Sequence, residues 1–293
     1  MTTFRPASLC ALGLLGALAG GGCADDTCPS CDPPRHSGEL QNPAIIELSG
    51  IAASFRFDDV IYAHNDSGDS SRFFAIDSTG KDLATFEVEG AANEDWEDIA
   101  RAPCAAGECL YIADIGDNEL ARTSYSIYLV EEPASIEPGT HTLASNRMEF
   151  TYPDGQVNAE VILVHPTTGE VTIVSKAEIG PASIFELGTI SADDDIVAKK
   201  VGEFEPPDGS SKFTGGSIHP GGTGILLRTK SRLFHYPMTI EQTAAEALGG
   251  EACQLELAEE TQGEAVTWLR GGAGIVTIAE SRGAAVNVAS CGS

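Results

Sequence analysis

Five short stretches share one frame: Ser49-Gly50-Ile51-Ala52, Glu97-Asp98-Ile99-Ala100, Glu160-Val161-Ile162-Leu163, Gly216-Ser217-Ile218-His219 and Glu264-Ala265-Val266-Thr267. Their third residue is always Ile or Val, and their first is Ser, Glu, Glu, Gly and Glu in turn. Successive copies lie 48, 63, 56 and 48 residues apart. A period of about 40–50 residues built from short β runs is the mark of a propeller blade, a four-stranded unit that buries its faces only against its neighbours.

Working outward from each copy, the same order of strands follows. A turn such as Pro166-Thr167-Thr168-Gly169 leads into an apolar second strand: 60–63, 110–113, 171–175, 225–227 and 275–279. Third strands rich in aromatic and aliphatic residues follow at 73–76, 126–129, 183–186 and 233–236, with fourth strands at 85–88, 148–152, 196–201 and 254–257. The fifth copy stops after its third strand, 284–289, while the run Ala44 to Leu48 stands unassigned before the first. Pairing the two closes the ring and leaves no open edge. The expected fold is therefore an all-β propeller of five four-stranded blades closed by an N-terminal strand. Six blades would follow if the long second repeat were split, and the insertion Glu131 to Arg147 has no role in this scheme. The only helical pattern lies between Thr239 and Leu248.

Residues 1–22 read as a secretory signal: Arg5 is followed by the short apolar stretch Leu9 to Leu18 and then by small residues. That stretch is too short to span a membrane. Cys23 follows Gly20-Gly21-Gly22, which resembles the lipidation site of bacterial lipoproteins, with Gly20 where that family prefers Leu. Cleavage after Ala17-Leu18-Ala19 by an ordinary signal peptidase is the alternative. Residues 23–41 read as a flexible tether rich in Pro, Asp, Ser and Gly, and 42–293 as the propeller domain. The expected location is outside the cytoplasm, lipid-anchored to the cell envelope (outer membrane or surface) or secreted. An even number of cysteines in an exported domain implies disulfides. Cys104 and Cys109 flank Ala-Ala-Gly-Glu and suit a hairpin staple, Cys253 and Cys291 are the next pair, and Cys28 and Cys31 lie in the tether. A zinc site at Cys28-Pro-Ser-Cys31 lacks a second ligand pair.

The chain of 293 residues carries 44 Asp and Glu against 17 Lys and Arg, a formal net charge of −27. Such a surface repels nucleic acid and anionic membranes, so contact with a membrane is expected only through a lipid anchor. It suits a hard divalent cation, whose usual ligands are carboxylates, although a solvated acidic surface explains much of the charge as well. The chain is expected to be a monomer whose partner is a small anionic ligand or another surface molecule.

In a propeller the first strand of each blade lines the channel, and the second runs back antiparallel to it. The frame thus puts Ser49, Glu97, Glu160, Gly216 and Glu264 round one mouth, with Ser49, Glu97, Glu160 and Glu264 as candidate calcium ligands. The ends of the second strands add Asn65, Asp114, Lys176, Arg228 or Lys230, and Glu280. Converging carboxylates must either raise their pKa values or be neutralised. Calcium does this with six to eight oxygens; a buried network with Lys176, Arg228 and Arg282 does it equally well. Lys176 and Arg228 are candidates to stabilise developing negative charge, and Asp114 or Glu280 to act as the general base. The loops His64-Asn65-Asp66-Ser67-Gly68-Asp69 and Asp114-Ile115-Gly116-Asp117-Asn118 offer Asn65, Asp66, Asp117 and Asn118 as ligand-binding groups. Asx turns account for either loop alone. No Gly-x-Ser-x-Gly elbow, P-loop or zinc-protease helix occurs.

The stretches 65–69, Asp95-Trp96-Glu97-Asp98-Ile99-Ala100, 113–118 and Gln262-Gly263-Glu264-Ala265 resemble a group of exported bacterial β-propeller proteins. More loosely, one acid per blade is similar to the phytase-like propellers and the five-bladed calcium-activated nucleotidases. That resemblance implies calcium near the axis and action on phosphate compounds, carried here by Ser49, Glu97, Glu160 and Glu264, with Gly216 departing from the pattern. Two expectations follow. One is a calcium-bearing, phosphatase-like propeller that binds a small or phosphorylated ligand at its mouth. The other is a non-catalytic scaffold with a salt-bridged core.

Overall fold

The computed structural model describes residues 28–190 and 196–292. The signal segment, Cys23 and the Asp193-Asp194-Asp195 run lie outside the described residues.

Strand β1 (Arg35–Glu39) comes first, and four-stranded meanders follow. The first meander holds β2 (Leu48–Ala53), β3 (Ile61–Asn65), β4 (Arg72–Ile76) and β5 (Asp82–Glu89). The second holds β6 (Trp96–Cys104), β7 (Gly107–Asp114), β8 (Tyr125–Glu131) and β9 (Thr140–Thr151). In the third are β10 (Ala159–Val164), β11 (Glu170–Ser175), β12 (Ala182–Thr189) and β14 (Lys199–Phe204), while the two-residue β13 (Ile196–Val197) pairs parallel with β9 of the second unit. The fourth holds β15 (Phe213–Ile218), β16 (Gly224–Thr229), β17 (Leu233–Pro237) and β18 (Cys253–Leu255), and the last holds β19 (Gly263–Trp268), β20 (Gly274–Ala279) and β21 (Ala285–Ser290).

The first strands β2, β6, β10, β15 and β19 pack side by side in that order, and β19 returns to β2, so they enclose a central axis. Among the described residues this is the radial arrangement of a β-propeller, with five first strands round the axis. Small residues on these strands let the backbones crowd together. A side chain on Gly50 would meet the Asp98 backbone, and one on Gly215 would meet the Glu264 carbonyl. Between units lie the apolar layers, such as Tyr62, Phe73, Phe86, Trp96 and Tyr128 between the first and second.

The strand that closes the ring is β1, antiparallel to β21 with Arg35 opposite Val288 and Glu39 opposite Ala285. The run Ala44 to Leu48 does not serve, since most of it forms the turn into β2. Residues 35–39 of the expected tether are therefore a strand of the domain. Two disulfides explain why. Cys28 bonds to Cys253 and Cys31 to Cys291, while Cys104 bonds to Cys109 as expected. The expected Cys253–Cys291 pair does not form, because the segment before β1 brings Cys28 to Cys253 and bridges Cys31 to Cys291.

The insertion Glu131 to Arg147 forms no unit of its own. It lengthens β9, whose first half pairs parallel with β5 and whose second half pairs antiparallel with β8. The two units thereby share one sheet along their rims, which covers an otherwise bare edge. The helix is short, Ala244–Leu248, with Thr243 and Glu246 forming a capping box.

Candidate functional site at the channel mouth

Each first strand carries an extra residue against its second strand, at the same end. The register slips between Leu48 and Ile51, Trp96 and Asp98, Ala159 and Val161, Phe213 and Gly215, and Gly263 and Ala265. A bulge of this kind breaks the two-residue alternation and re-aims a side chain. The residues so placed are Ser49, Glu97, Glu160, Thr214 and Glu264. Thr214, not Gly216, is therefore the fourth member; the sequence frame is out by two residues in that unit. Ser49 and Thr214 act alike, each donating its hydroxyl to a backbone carbonyl of the next unit: Ser49 Oγ to Glu97 O at 2.6 Å and Thr214 Oγ1 to Gly263 O at 3.0 Å.

The acids Glu97, Glu160 and Glu264 line an open polar depression of about 430 Å³ with Asp66, Asn118, Lys176, Lys230 and Glu280. Asp66, Lys176, Lys230 and Glu280 each follow immediately after, or one residue beyond, the end of a second strand. Because neighbouring residues on a strand point to opposite faces, the position one residue earlier is turned away.

That explains the first two of three corrections; the third, Arg228, is drawn away by Glu260. Asn65 is buried and accepts from the backbone N–H groups of Ile46 and Glu47 while donating to Ala44 O and Asp69. It holds the entry to β2 and does not reach the mouth. Asp114 is paired with Arg122 at 2.7 Å and accepts from the Asp95 N–H at 3.0 Å, so it anchors the 93–96 turn and is not free to act as a base. Arg228 is fully buried, paired with Glu260 at 2.8 Å and donating to Ala265 O at 2.9 Å; it too does not reach the mouth. Glu260 in turn accepts from Thr277 and Asn287, which makes this a satisfied structural network.

Asp117 is likewise structural, accepting from the Ala121 and Arg122 N–H groups and from the Tyr125 hydroxyl. Asn118 stays at the mouth and accepts from Asn158. Glu280 is at the mouth and accepts from Gln262.

The electrostatics are dominated by carboxylates. Burial, then the charges of Glu160, Asp66 and Asp95, push Glu97 well above the usual carboxylate range. Burial and Glu160 hold Glu264 at about 7 despite Lys230 at 3.4 Å. Burial raises Glu160 even though it is paired with Lys176. Asp95, which the sequence reading overlooked as a ligand, is raised to about 7 by burial and by Asp66, with which it can share a proton.

Asp66, Asp95 and Glu97 place one carboxylate oxygen each within 4.8 Å of one another, close enough to hold a metal ion together. Gly116 makes room for them: a side chain there would collide with both the Glu97 and the Asp95 carboxylates. The Glu97 carboxylate has no hydrogen-bond or ion-pair partner among the described residues, although the residue is only 5% exposed. The expected ligand set of Ser49, Glu97, Glu160 and Glu264 is not what the fold assembles. Ser49 is engaged with the backbone and Glu160 with Lys176, and Glu97 is the one member shared by the two sets. The signal for Asp95 was its place two residues before Glu97, in the turn that leads into β6.

Below the mouth, Asp98 is buried, with no cation paired to it among the described residues. It accepts N–H groups from three units, Ile99 at 2.9 Å, Ile162 at 3.1 Å and Gly216 at 3.4 Å. Burial raises its pKa well above the usual range, and those N–H groups oppose the rise.

No protein-family model matches the chain, and no curated protein matches it in sequence. Among solved structures it is similar to the PQQ-bound aldose sugar dehydrogenase of Streptomyces coelicolor, at 11% identity and a TM-score of 0.50, over 91% of this chain and 99% of that one. It is also aligned with the gluconolactonase XC5397 of Xanthomonas campestris at 11% identity and a TM-score of 0.49, over 90% and 96%. At 11% identity the likeness to the dehydrogenase extends to the fold and not to the chemistry.

Proposed function

We propose that this β-propeller is an exported, lipid-anchored protein whose channel mouth binds a divalent cation, calcium by the nature of the donors, and with it a small anionic ligand such as a phosphorylated compound. Glu97 carries the reading. A carboxylate that is nearly buried, unpartnered and within reach of two others is costly unless a cation joins them. The donors are all oxygen and come from a loop, a turn and a bulge, which suits calcium better than zinc or copper.

A calcium ion supplies charge that offsets phosphoryl oxygens and lowers the pKa of a water beside it. The protein's own groups would do the rest. Lys176 and Lys230, on the third and fourth units, supply positive charge to the ligand. Glu264, held near neutrality, is the group best placed to accept a proton at physiological pH, in the role first expected of Asp114. Hydrolysis of a phosphoric ester is the activity to screen for. The three disulfides fit an oxidising compartment and so support export.

One observation favours the scaffold reading instead. Both lysines at the mouth already have a partner, Lys176 in Glu160 and Lys230 in Glu264. Thermal unfolding with calcium and with a chelator separates the two readings. The cation reading expects a midpoint several degrees higher in calcium, lost in Glu97→Gln. No response to calcium would discard it and leave a salt-bridged scaffold.

A further inference from the structure

The three acids that can hold a cation together stand on two segments of chain. Asp66 directly follows β3, Asp95 lies in the turn before β6, and Glu97 is the second residue of β6. Asn93 spans the gap between these segments. Its amide nitrogen donates to Asp66 O at 2.8 Å, and its amide oxygen accepts the Trp96 N–H at 3.2 Å, between Asp95 and Glu97. One planar side chain thereby fixes the end of β3 against the turn into β6, where both present their acids.

Arg122 holds the other side of the same turn. Its guanidinium donates to Asp114 at 2.7 Å and to Gly116 O at 2.9 Å, lies 3.5 Å from Glu94, and stacks over the Tyr125 ring at 5.0 Å. Asp114 passes the restraint on by accepting the N–H groups of Asp95 at 3.0 Å and Glu94 at 3.4 Å. The Gly116 N–H donates to Asp95 O at 3.2 Å, so Asp95 is gripped through both its backbone groups while its carboxylate faces the other acids. Asp117 folds the loop back by accepting the Ala121 and Arg122 N–H groups, which brings the Arg122 side chain to this position. Asp114, Gly116 and Asp117, set apart by the sequence as a possible source of ligands, thus form the wall behind the ligands.

We propose that Asn93 and Arg122 are positioning residues that set the span of the cation site, and with it a preference for calcium over magnesium. The proposal rests on the reading of Asp66, Asp95 and Glu97 as that site. Oxygens on opposite sides of a calcium ion stand about 4.6–5.2 Å apart, against about 4.0–4.2 Å round magnesium. The three carboxylates approach within 4.8 Å of one another, which calcium can bridge in full. Magnesium keeps several waters and takes one or two carboxylates, so it gains little from three acids held in fixed register. Groups that orient metal ligands from behind are worth about 10–100-fold in affinity.

The full-length protein is titrated by calorimetry with calcium chloride and, separately, with magnesium chloride, as wild type, Asn93→Ala and Arg122→Lys. Lysine keeps the charge of Arg122 but lacks the fork that reaches Asp114 and Gly116 O together. Calcium affinity should fall roughly tenfold or more in each variant, and magnesium affinity by less than about threefold. Hydrogen exchange over residues 92–98, measured in chelator, should quicken in both variants. Urea unfolding confirms that each variant is folded; Asn93 is a half-buried turn residue, and the test stands on it if Arg122→Lys fails to fold.

An unchanged calcium affinity, an equal loss for both ions, or unchanged exchange overturns the proposal and leaves the two side chains as fasteners of surface loops. Wild-type protein that takes up no calcium overturns the cation reading and this proposal with it. The wild-type titration by itself tells that failure from the failure of the positioning role alone, in which wild type and variants bind calcium equally well.

Discussion

Replacing Glu264 by Gln tests whether the mouth is an electrostatically costly arrangement. In the folded protein burial and Glu160 hold this carboxyl at about 7, against an ordinary value of 4.5. Between those values the folded state keeps a proton that the unfolded chain has lost. Stability therefore falls as pH rises from about 4.5 to about 7 and stays reduced above that. Each pKa unit is worth about 1.4 kcal/mol, so ionised Glu264 costs the fold roughly 3 kcal/mol at pH 8. Glutamine keeps the shape and removes the charge. Lys230 loses its partner at small cost, since its side chain is 51% exposed.

The variant should melt roughly 6–10 °C above wild type at pH 8 in chelator, for a domain of this size. At pH 5, where wild-type Glu264 already holds its proton, the difference should nearly vanish. Circular dichroism melts at the two pH values measure both. A variant less stable at pH 8, or displaced equally at both pH values, would refute the reasoning and make Glu264 a net stabilising partner of Lys230.

Gly116→Ala should weaken calcium binding at least tenfold by calorimetry while moving the melting point by no more than a few degrees, because the new methyl displaces the Glu97 and Asp95 carboxylates. Arg228→Met should cost roughly 3–5 kcal/mol in denaturant unfolding by stranding Glu260, whose side chain is 2% exposed. Calcium affinity should be unchanged, the opposite of what a ligand-binding Arg228 would give. The double variant Cys31→Ser, Cys291→Ser should lose about 4 kcal/mol, since with Cys28–Cys253 intact the second bond closes a ring of about 40 residues. Unfolding in urea, with no reductant present, checks that figure.

Much of the architecture can be read locally. The strands of each unit are short apolar runs bounded by Gly, Asp and Pro, and their order repeats, so the β-propeller class follows from patterning alone. Thr214 shows where such reading ends. Gly216-Ser217-Ile218 aligns well with its counterparts by residue type, yet the extra residue in β15 lies at Thr214. A bulge is a feature of how two strands pair, and one strand's sequence does not reveal it. The same holds for Asn65, Asp114 and Arg228, which are correctly placed near the ends of second strands: the first two face away from the mouth, and Arg228 is drawn to Glu260.

The sequence by itself determined the all-β repeat, the abundance of acid at one end of the first strands, and the Cys104–Cys109 staple, because each depends on residues close together in the chain. Only the tertiary structure decided which acids converge, which lysines they hold, and that Cys28 and Cys31 reach Cys253 and Cys291. Those outcomes depend on register and on ring closure by β1. Both are fixed by the packing of units some 48 to 260 residues apart, and no local pattern carries that information.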